Sequence, residues 1–201
     1  PCVQQTGRKQ PVLGANDGGS GVAVLLEIAR NLALKNPTVG VDILLTDVED
    51  YGNAKSFTSD EESWCLGSQY WAANMPYDSD NLPVYGILLD MVGGRDARFH
   101  YEAYSHANAR VPASKVWSEA QRLGLSSRFI PAMGGNITDD HVFITRAGIP
   151  TVDIIETLND VTSSFPATWH TEYDNLENID RSSLKDVGTT VLNVIYKEKG
   201  Y

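Results

Sequence analysis

Three short apolar runs, each closing on a carboxylate, constrain this chain more than anything else in it. Val39-Gly-Val-Asp-Ile-Leu-Leu-Thr46 runs straight into Asp47, Glu49 and Asp50. Pro83-Val-Tyr-Gly-Ile-Leu-Leu-Asp-Met-Val92 carries Asp90 at the end of its apolar stretch, and Thr151-Val-Asp-Ile-Ile155 is followed by Glu156. Runs this short and this rich in Val, Ile and Leu predict buried strands. Between them the period changes to that of a helix. A turn, Gly14-Ala-Asn-Asp-Gly-Gly-Ser-Gly21, opens a broad apolar face made by Val22, Leu25, Leu26, Ile28, Ala29 and Leu32, with Ser20 as candidate cap and an end near Asn36-Pro37. Further helices are expected over 64–74, 113–123 and 139–147, and an amphipathic one over 182–197 capped by Asp180. Helices alternating with near-continuous apolar strands predict an α/β fold, a three-layer αβα domain around a largely parallel mixed sheet, with 1–201 as one domain.

Composition narrows what such a domain can do. The chain's 201 residues suffice for one well-cored unit. No apolar run approaches the ~20 residues of a membrane span. Lys and Arg number 16 against 26 Asp and Glu, a net charge of −10 with no basic stripe, which excludes a phosphate-backbone partner such as nucleic acid. Cys2 and Cys65 are too few for a disulfide framework and lack metal-type spacing; one bridge and two free thiols both remain open. The chain begins at Pro1, and its polar first ten residues read as a loop, as expected of a processed or truncated chain with an upstream portion.

Ligands of open α/β sheets bind beyond the carboxyl ends of the strands. That rule gathers the Asp47–Asp50 run, Asp90, Glu156 and the Trp169-His170 loop at one sheet edge, with Asp17 in the glycine-rich turn beside them. Taken singly, each has a plainer reading: Asp17 as a turn residue, 47–50 as a solvated loop, Asp139-Asp-His141 as a helix cap, His170 as a packing histidine. A phosphate cradle at Gly14–Gly21 lacks the lysine and glycine order it needs. Jointly, carboxylates so placed repel one another, and a divalent cation relieves the repulsion; with Asp and His as donors, zinc is the natural candidate.

At these residues the chain resembles the zinc-dependent aminopeptidase-like (phosphorylase/hydrolase-like) enzymes, and within them the animal-type glutaminyl cyclases that also occur in bacteria. The Asp17 turn, Leu45-Thr-Asp-Val-Glu-Asp50, Leu88-Leu-Asp-Met-Val-Gly93 and Phe165-Pro-Ala-Thr-Trp-His-Thr171 carry the likeness, together with Asp174-Asn175 and Glu177-Asn-Ile-Asp180. The pair Trp169-His170, Phe165-Pro166 and Thr138-Asp-Asp-His141 are the cyclase-like features. The resemblance implies one zinc ion held by Asp17, Asp50 and His170, with Glu49 as acid–base catalyst and Asp90 and Asp139 as its catalytic hydrogen-bonding partners. Trp169, Phe165, Thr138 and Trp64 would contact substrate. The implied reaction converts N-terminal glutamine of peptides or proteins to pyroglutamate, releasing ammonia, at an exported (periplasmic or extracellular) location. Three departures stand out: Glu49-Asp50 replaces the family's usual Glu-Glu, Gly18 follows Asp17 where two-zinc aminopeptidases usually place Asp or Asn, and Asp153 stands where animal cyclases tend to have histidine. The family's upstream His-x-Asp segment and its N-terminal strands are expected to precede Pro1. The alternatives are a two-zinc aminopeptidase, with Asp17 bridging the metals and Asp90 on the second, and a non-catalytic binding relative.

Overall fold

A computed structural model describes residues 11–52 and 61–200. Cys2, with the rest of the first ten residues, lies outside the described residues; Cys65 is a buried free thiol. Six helices alternate with four strands: α1 (Gly19–Leu34), α2 (Leu66–Ala73), β1 (Gly86–Leu89), β2 (Phe99–Tyr101), α3 (Ala103–Asn108), α4 (Arg110–Arg122), β3 (Phe129–Met133), α5 (Asp140–Arg146), β4 (Thr151–Ile154) and α6 (Arg181–Lys197).

β1 pairs in parallel with β4, Gly86 opposite Thr151 and Leu89 opposite Ile154. β2 pairs in parallel with β3, and its register shifts between Phe99–Phe129 and Tyr101–Met133. The α/β class therefore holds, and the parallel ladders follow from the long helical crossovers between paired strands. Two details differ from the expected sheet. Residues 39–46 form no regular strand: among the described residues no neighbouring strand pairs with them, and Ile43 and Leu45 stand 40% and 57% exposed. Conversely, β2 and β3 carry only three to five residues each, too few to show a period in sequence. Among the described residues the antiparallel component of the expected mixed sheet is reduced to one bridge, Gly94 to Ile179.

Pleating sorts β4 between two layers. Val152 and Ile154 enter a core shared with Val24 and Ile28 of α1, Val116 and Trp117 of α4, and Val187, Val191 and Val194 of α6. Phe99 and Phe129 meet there at 5.2 Å between ring centroids, with Trp117 edge-on to Phe129 at 5.6 Å. Asp153, between those two core residues, turns to the other side, where α5 packs on β1 and β4 and α2 packs on α5. Asp180 caps α6, its carboxylate accepting from Ser182 N. Ser20 does not cap α1: it lies inside the first turn, and its hydroxyl is used elsewhere, as described below. None of the described helices is long and apolar enough to cross a membrane.

α1 reaches the sheet only because residue 21 lacks a side chain. A Cβ on Gly21 would stand 2.0 Å from the Leu89 carbonyl oxygen, whereas one on Gly188 of α6 would meet Val24 at an ordinary 3.5 Å. Gly21→Ala is therefore expected to destabilise by more than ~2 kcal/mol through backbone displacement. Gly188→Ala should be neutral or stabilise by up to ~1 kcal/mol through helix propensity. Urea unfolding of the two variants checks the contrast, and equal effects would contradict it.

Candidate metal centre

The turn bearing Asp17 is clamped from two directions. Asp174, 157 residues away, accepts from Asn16 N at 2.7 Å and Asp17 N at 3.0 Å. Asn16 Oδ1 accepts from Gly93 N at 2.8 Å, and the Ser20 hydroxyl accepts from Val92 N at 3.0 Å while donating to the Asn16 carbonyl at 2.6 Å. The start of α1 is thereby fastened to the chain just past β1, which sets Asp17 beside Asp90.

Glu49 and Asp50 are placed by the opposite end of α2. The carbonyls of Asp47, Val48 and Glu49 accept from the backbone N–H groups of Gly67, Leu66 and Cys65. This contact requires glycine at 67, where a Cβ would lie 2.3 Å from the Asp47 oxygen. Val48 turns the chain with φ 55° and ψ 35°, a left-handed conformation that costs a β-branched residue about 1–3 kcal/mol and is held by those three bonds. His170 shares the left-handed backbone at φ 55°, and its ring stacks on Trp169 with centroids 3.9 Å apart.

The structure brings Asp17, Asp50 and His170 together. His170 Nε2 lies 2.8 Å from Asp50 Oδ2 and 3.3 Å from Asp17 Oδ2. In a tetrahedral zinc site with bonds of about 2.0–2.2 Å, ligand atoms stand roughly 3.3 Å apart; the donors suit zinc by chemistry, the Asp17 distance matches, and the 2.8 Å contact to Asp50 is a hydrogen bond that would have to open by about 0.5 Å. Burial opposes charge on the imidazole, but the two carboxylates outweigh it and lift its pKa to about 9. Burial likewise opposes charge on Asp50, and its bond to His170 prevails, holding the carboxyl below its usual range. Burial, followed by repulsion from Asp139, Asp50, Asp140 and Asp17, pushes the Glu49 carboxyl up to about 9.

Two other groupings of the described residues have metal-like spacing, Glu49–Cys65–Asp139 and Asp139–His141–Asp153. In the first, burial pushes the Cys65 thiol up, which withholds the thiolate a metal needs. The second has no solvent-exposed member. Of the three, only the Asp17 grouping has all its members on one pocket, of about 500 Å³. That pocket is also lined by Glu49, Asp90 and Asp139 at its acidic end, and by Trp64, Thr138, Phe165 and Trp169 around its wall, so all ten residues singled out in the sequence face one cavity. Phe165 packs on Trp169 at 4.8 Å between centroids. Glu49 and Asp139 have oxygen atoms within 4.8 Å of each other. Burial and the charges of Asp139, Asp17 and Glu49 raise Asp90 well above the usual carboxylate range.

Sequence reasoning did not find several supports. Asp174 was visible as part of a motif but not as the anchor of the turn. Glu61 lines the pocket and pairs with Arg146 through two 3.0 Å contacts. Glu102, fully buried at the end of β2, accepts from the N–H groups of Tyr104, Ser105 and Ile137 and from His141 Nε2. Burial opposes its charge, yet the bonds from His141 and from the Ser105 and Tyr104 amides hold its pKa below the usual carboxylate range.

The profile of peptidase family M28 matches residues 3–195. Glutaminyl-peptide cyclotransferase of Bos taurus is 28% identical over 207 residues, spanning 87% of this chain and 54% of the relative, so the chain covers about half of that protein. The crystal structure of Bacteroides thetaiotaomicron glutaminyl cyclase bound to N-acetylhistamine superposes with a TM-score of 0.91 at 48% identity, covering 98% of this chain and 68% of that one. A Zn-dependent exopeptidase from Parabacteroides distasonis superposes at 0.89 with 46% identity, covering 98% of this chain and 68% of that one.

Two outcomes follow from the supports. Asp174→Ala leaves every ligand in place but releases the Asp17 turn, and should weaken zinc affinity about 10–100-fold in competition with a chromogenic chelator; unchanged affinity would show that the turn is held otherwise. Glu102 has a folded-state pKa below its ordinary 4.5, so its stabilisation is fully present above that value and lost as pH falls toward 2. Glu102→Gln should accordingly flatten the fall in unfolding free energy between about pH 4.5 and 2, by an amount on the order of 3 kcal/mol.

Proposed function

We propose that this chain, which belongs to peptidase family M28, is a zinc-dependent glutaminyl cyclase acting on peptides with N-terminal glutamine. The observation that carries the reading is geometric: Glu49, a carboxyl group crowded among other carboxylates that raise its pKa, adjoins the Asp17–Asp50–His170 grouping and faces the same aromatic-walled pocket. Zinc held by Asp17, Asp50 and His170 supplies, when bound, Lewis-acid polarisation of the glutamine γ-carbonyl.

The remaining work falls to the chain itself. Cyclisation is an attack of the substrate's α-amine on its own γ-carbonyl, forming the ring C–N bond and breaking the bond to ammonia. The ends of the forming ring are already tethered, so the pocket contributes mainly by fixing one conformer. Glu49 accepts the proton that the amine loses and returns it to the departing ammonia. One group serving as base and then acid needs a pKa well above the ordinary carboxylate value, which burial among Asp139, Asp50, Asp140 and Asp17 provides. Asp90 and Asp139, crowded on the same floor, steer the Glu49 proton by hydrogen bonding. Trp169, Phe165 and Trp64 wall the cavity against water, which would otherwise divert the reaction to deamidation. Thr138, on the rim, is placed to orient substrate amides. Gly52 backs the Trp64 indole so closely that a Cβ there would lie 1.9 Å from the ring.

One zinc rather than two is favoured by Gly18, which follows Asp17 where two-zinc aminopeptidases usually place Asp or Asn. An exported location is part of the same proposal and rests on the family resemblance. Glu49→Gln should reduce cyclisation of a glutaminyl peptide about 10²–10⁴-fold while zinc binding persists. Parent-like turnover in that variant would favour a non-catalytic role. Two zinc ions per chain with hydrolysis of an aminoacyl amide and no cyclisation would favour the aminopeptidase. Gly52→Val, by displacing Trp64, should raise KM more than it lowers kcat.

A further inference from the structure

Behind the pocket lies a buried group of side chains that the proposed reaction does not use. Glu102 at the end of β2, His141 in the first turn of α5 and Asp153 in β4 are all fully buried. Four N–H donors converge on the Glu102 carboxylate, at 2.9 and 3.2 Å on Oε1 and 2.6 and 3.0 Å on Oε2. The last is His141 Nε2, which must carry a proton to serve an acceptor already fixed by three backbone amides. The other ring nitrogen, Nδ1, faces Asp153 Oδ2 at 3.5 Å. Neither Nδ1 nor either Asp153 oxygen has a hydrogen-bond partner.

The groups around Asp153 decide its charge. Asp139 and Asp140 face it from α5, Asp90 from beyond β1 and Glu102 from beyond β2; Tyr104 adds a ring edge-on to His141 at 5.6 Å. His141 is the one group there that can take a proton from it or offer one. An ionised Asp153 would be a buried anion among four carboxyl groups, and its one donor would be an imidazolium, a second charge buried in the same place.

We infer that Asp153 is a neutral carboxylic acid donating its proton to Nδ1 of a neutral His141, so that Glu102, His141 and Asp153 form one unit with two protons and a net charge of −1. A shift of roughly 0.5 Å brings the 3.5 Å contact to hydrogen-bond length. Burial, then the like charge of Asp139, Asp90, Glu102 and Asp140, acts in the same direction by raising the Asp153 carboxyl far above its ordinary range. The unit braces the segment that lines the pocket. Glu102 fixes Ile137 N, and His141 sits two residues after Asp139, whose Oδ1 caps α5 through Asp140 N and which has an oxygen within 4.8 Å of both His141 and Asp153. Asp153 is thus a positioning residue that acts on Asp139 through His141.

The full-length chain loaded with zinc is tested in three ways. Infrared difference spectra of the parent against Asp153→Asn should show a protonated carboxylic acid carbonyl band that the variant lacks. Nitrogen-15 NMR near neutral pH should find His141 as the Nε2-protonated, Nδ1-bare tautomer. Asn can still donate to Nδ1, so Asp153→Asn should keep the pH profile of turnover and a rate within about two-fold, whereas Asp153→Ala, with no donor, should shift the profile and lose roughly ten-fold. Only the turnover arm rests on the cyclase reading; the spectroscopic arms stand without it, so failure of one is distinguishable from failure of the other. A parent lacking the acid band, an imidazolium signal from His141, an Asn variant as impaired as the Ala variant, or a second equivalent of zinc that disappears in Asp153→Asn would each overturn the inference.

Discussion

Carboxyl groups of Asp17, Glu49, Asp50, Asp90 and Asp139 share one cavity, and their mutual repulsion is the constraint to which the surrounding elements respond. Repulsion between like charges in a partly dry site has three remedies: pairing with a cation, protonation, or separation by fixed backbone donors. The molecule uses all three. His170 pairs with Asp17 and Asp50, Glu49 and Asp90 hold protons that an exposed carboxylate would release, and the Asp139 cap spends one oxygen on the amide of Asp140. Chemistry and stability are coupled in the proposed mechanism, because the crowding that raises the Glu49 pKa is also what would let one carboxyl group take up a proton and give it back.

The scaffolding that enforces the crowding is mostly backbone. The turn at Asp17, the strand end at Asp90 and the loop at Glu49 are each held by amides and carbonyls from a distant element, and left-handed residues at Val48, Met91 and His170 aim the chain into the cavity. Non-glycine residues in that conformation survive only where neighbours over-determine it. Their gathering at the three acidic corners marks the places where the fold gives up local comfort for the position of a side chain.

Much of this was legible in sequence, for a definite reason. β4 is buried throughout and β1 is half-buried except at its buried end, Leu89; both read as short apolar runs, and Asp90 at the end of one of them was hard to explain as a solvated residue. α1 and α6 announced themselves by period. What stayed hidden lacks a local signature. β2 and β3 are too short for a pattern, and the 39–46 run has strand composition without a paired neighbour among the described residues. Glu102 looked like any acidic residue near a helix start, since four converging donors are a property of folded space. Asp153 interrupts an apolar strand, and only the pleat that turns it toward His141 tells its neutral role from a solvated one.

The anchoring of Asp17 by Asp174 has a consequence for biosynthesis. The aspartate turn is among the first described residues to leave the ribosome, yet its anchor and the final ligand, His170, emerge some 150 residues later. Closing so long a loop gains nothing until the last contacts form. The Asp17–Asp50–His170 site therefore cannot assemble before residues 170–174 have emerged, and a cation held there would be captured only after that loop closes.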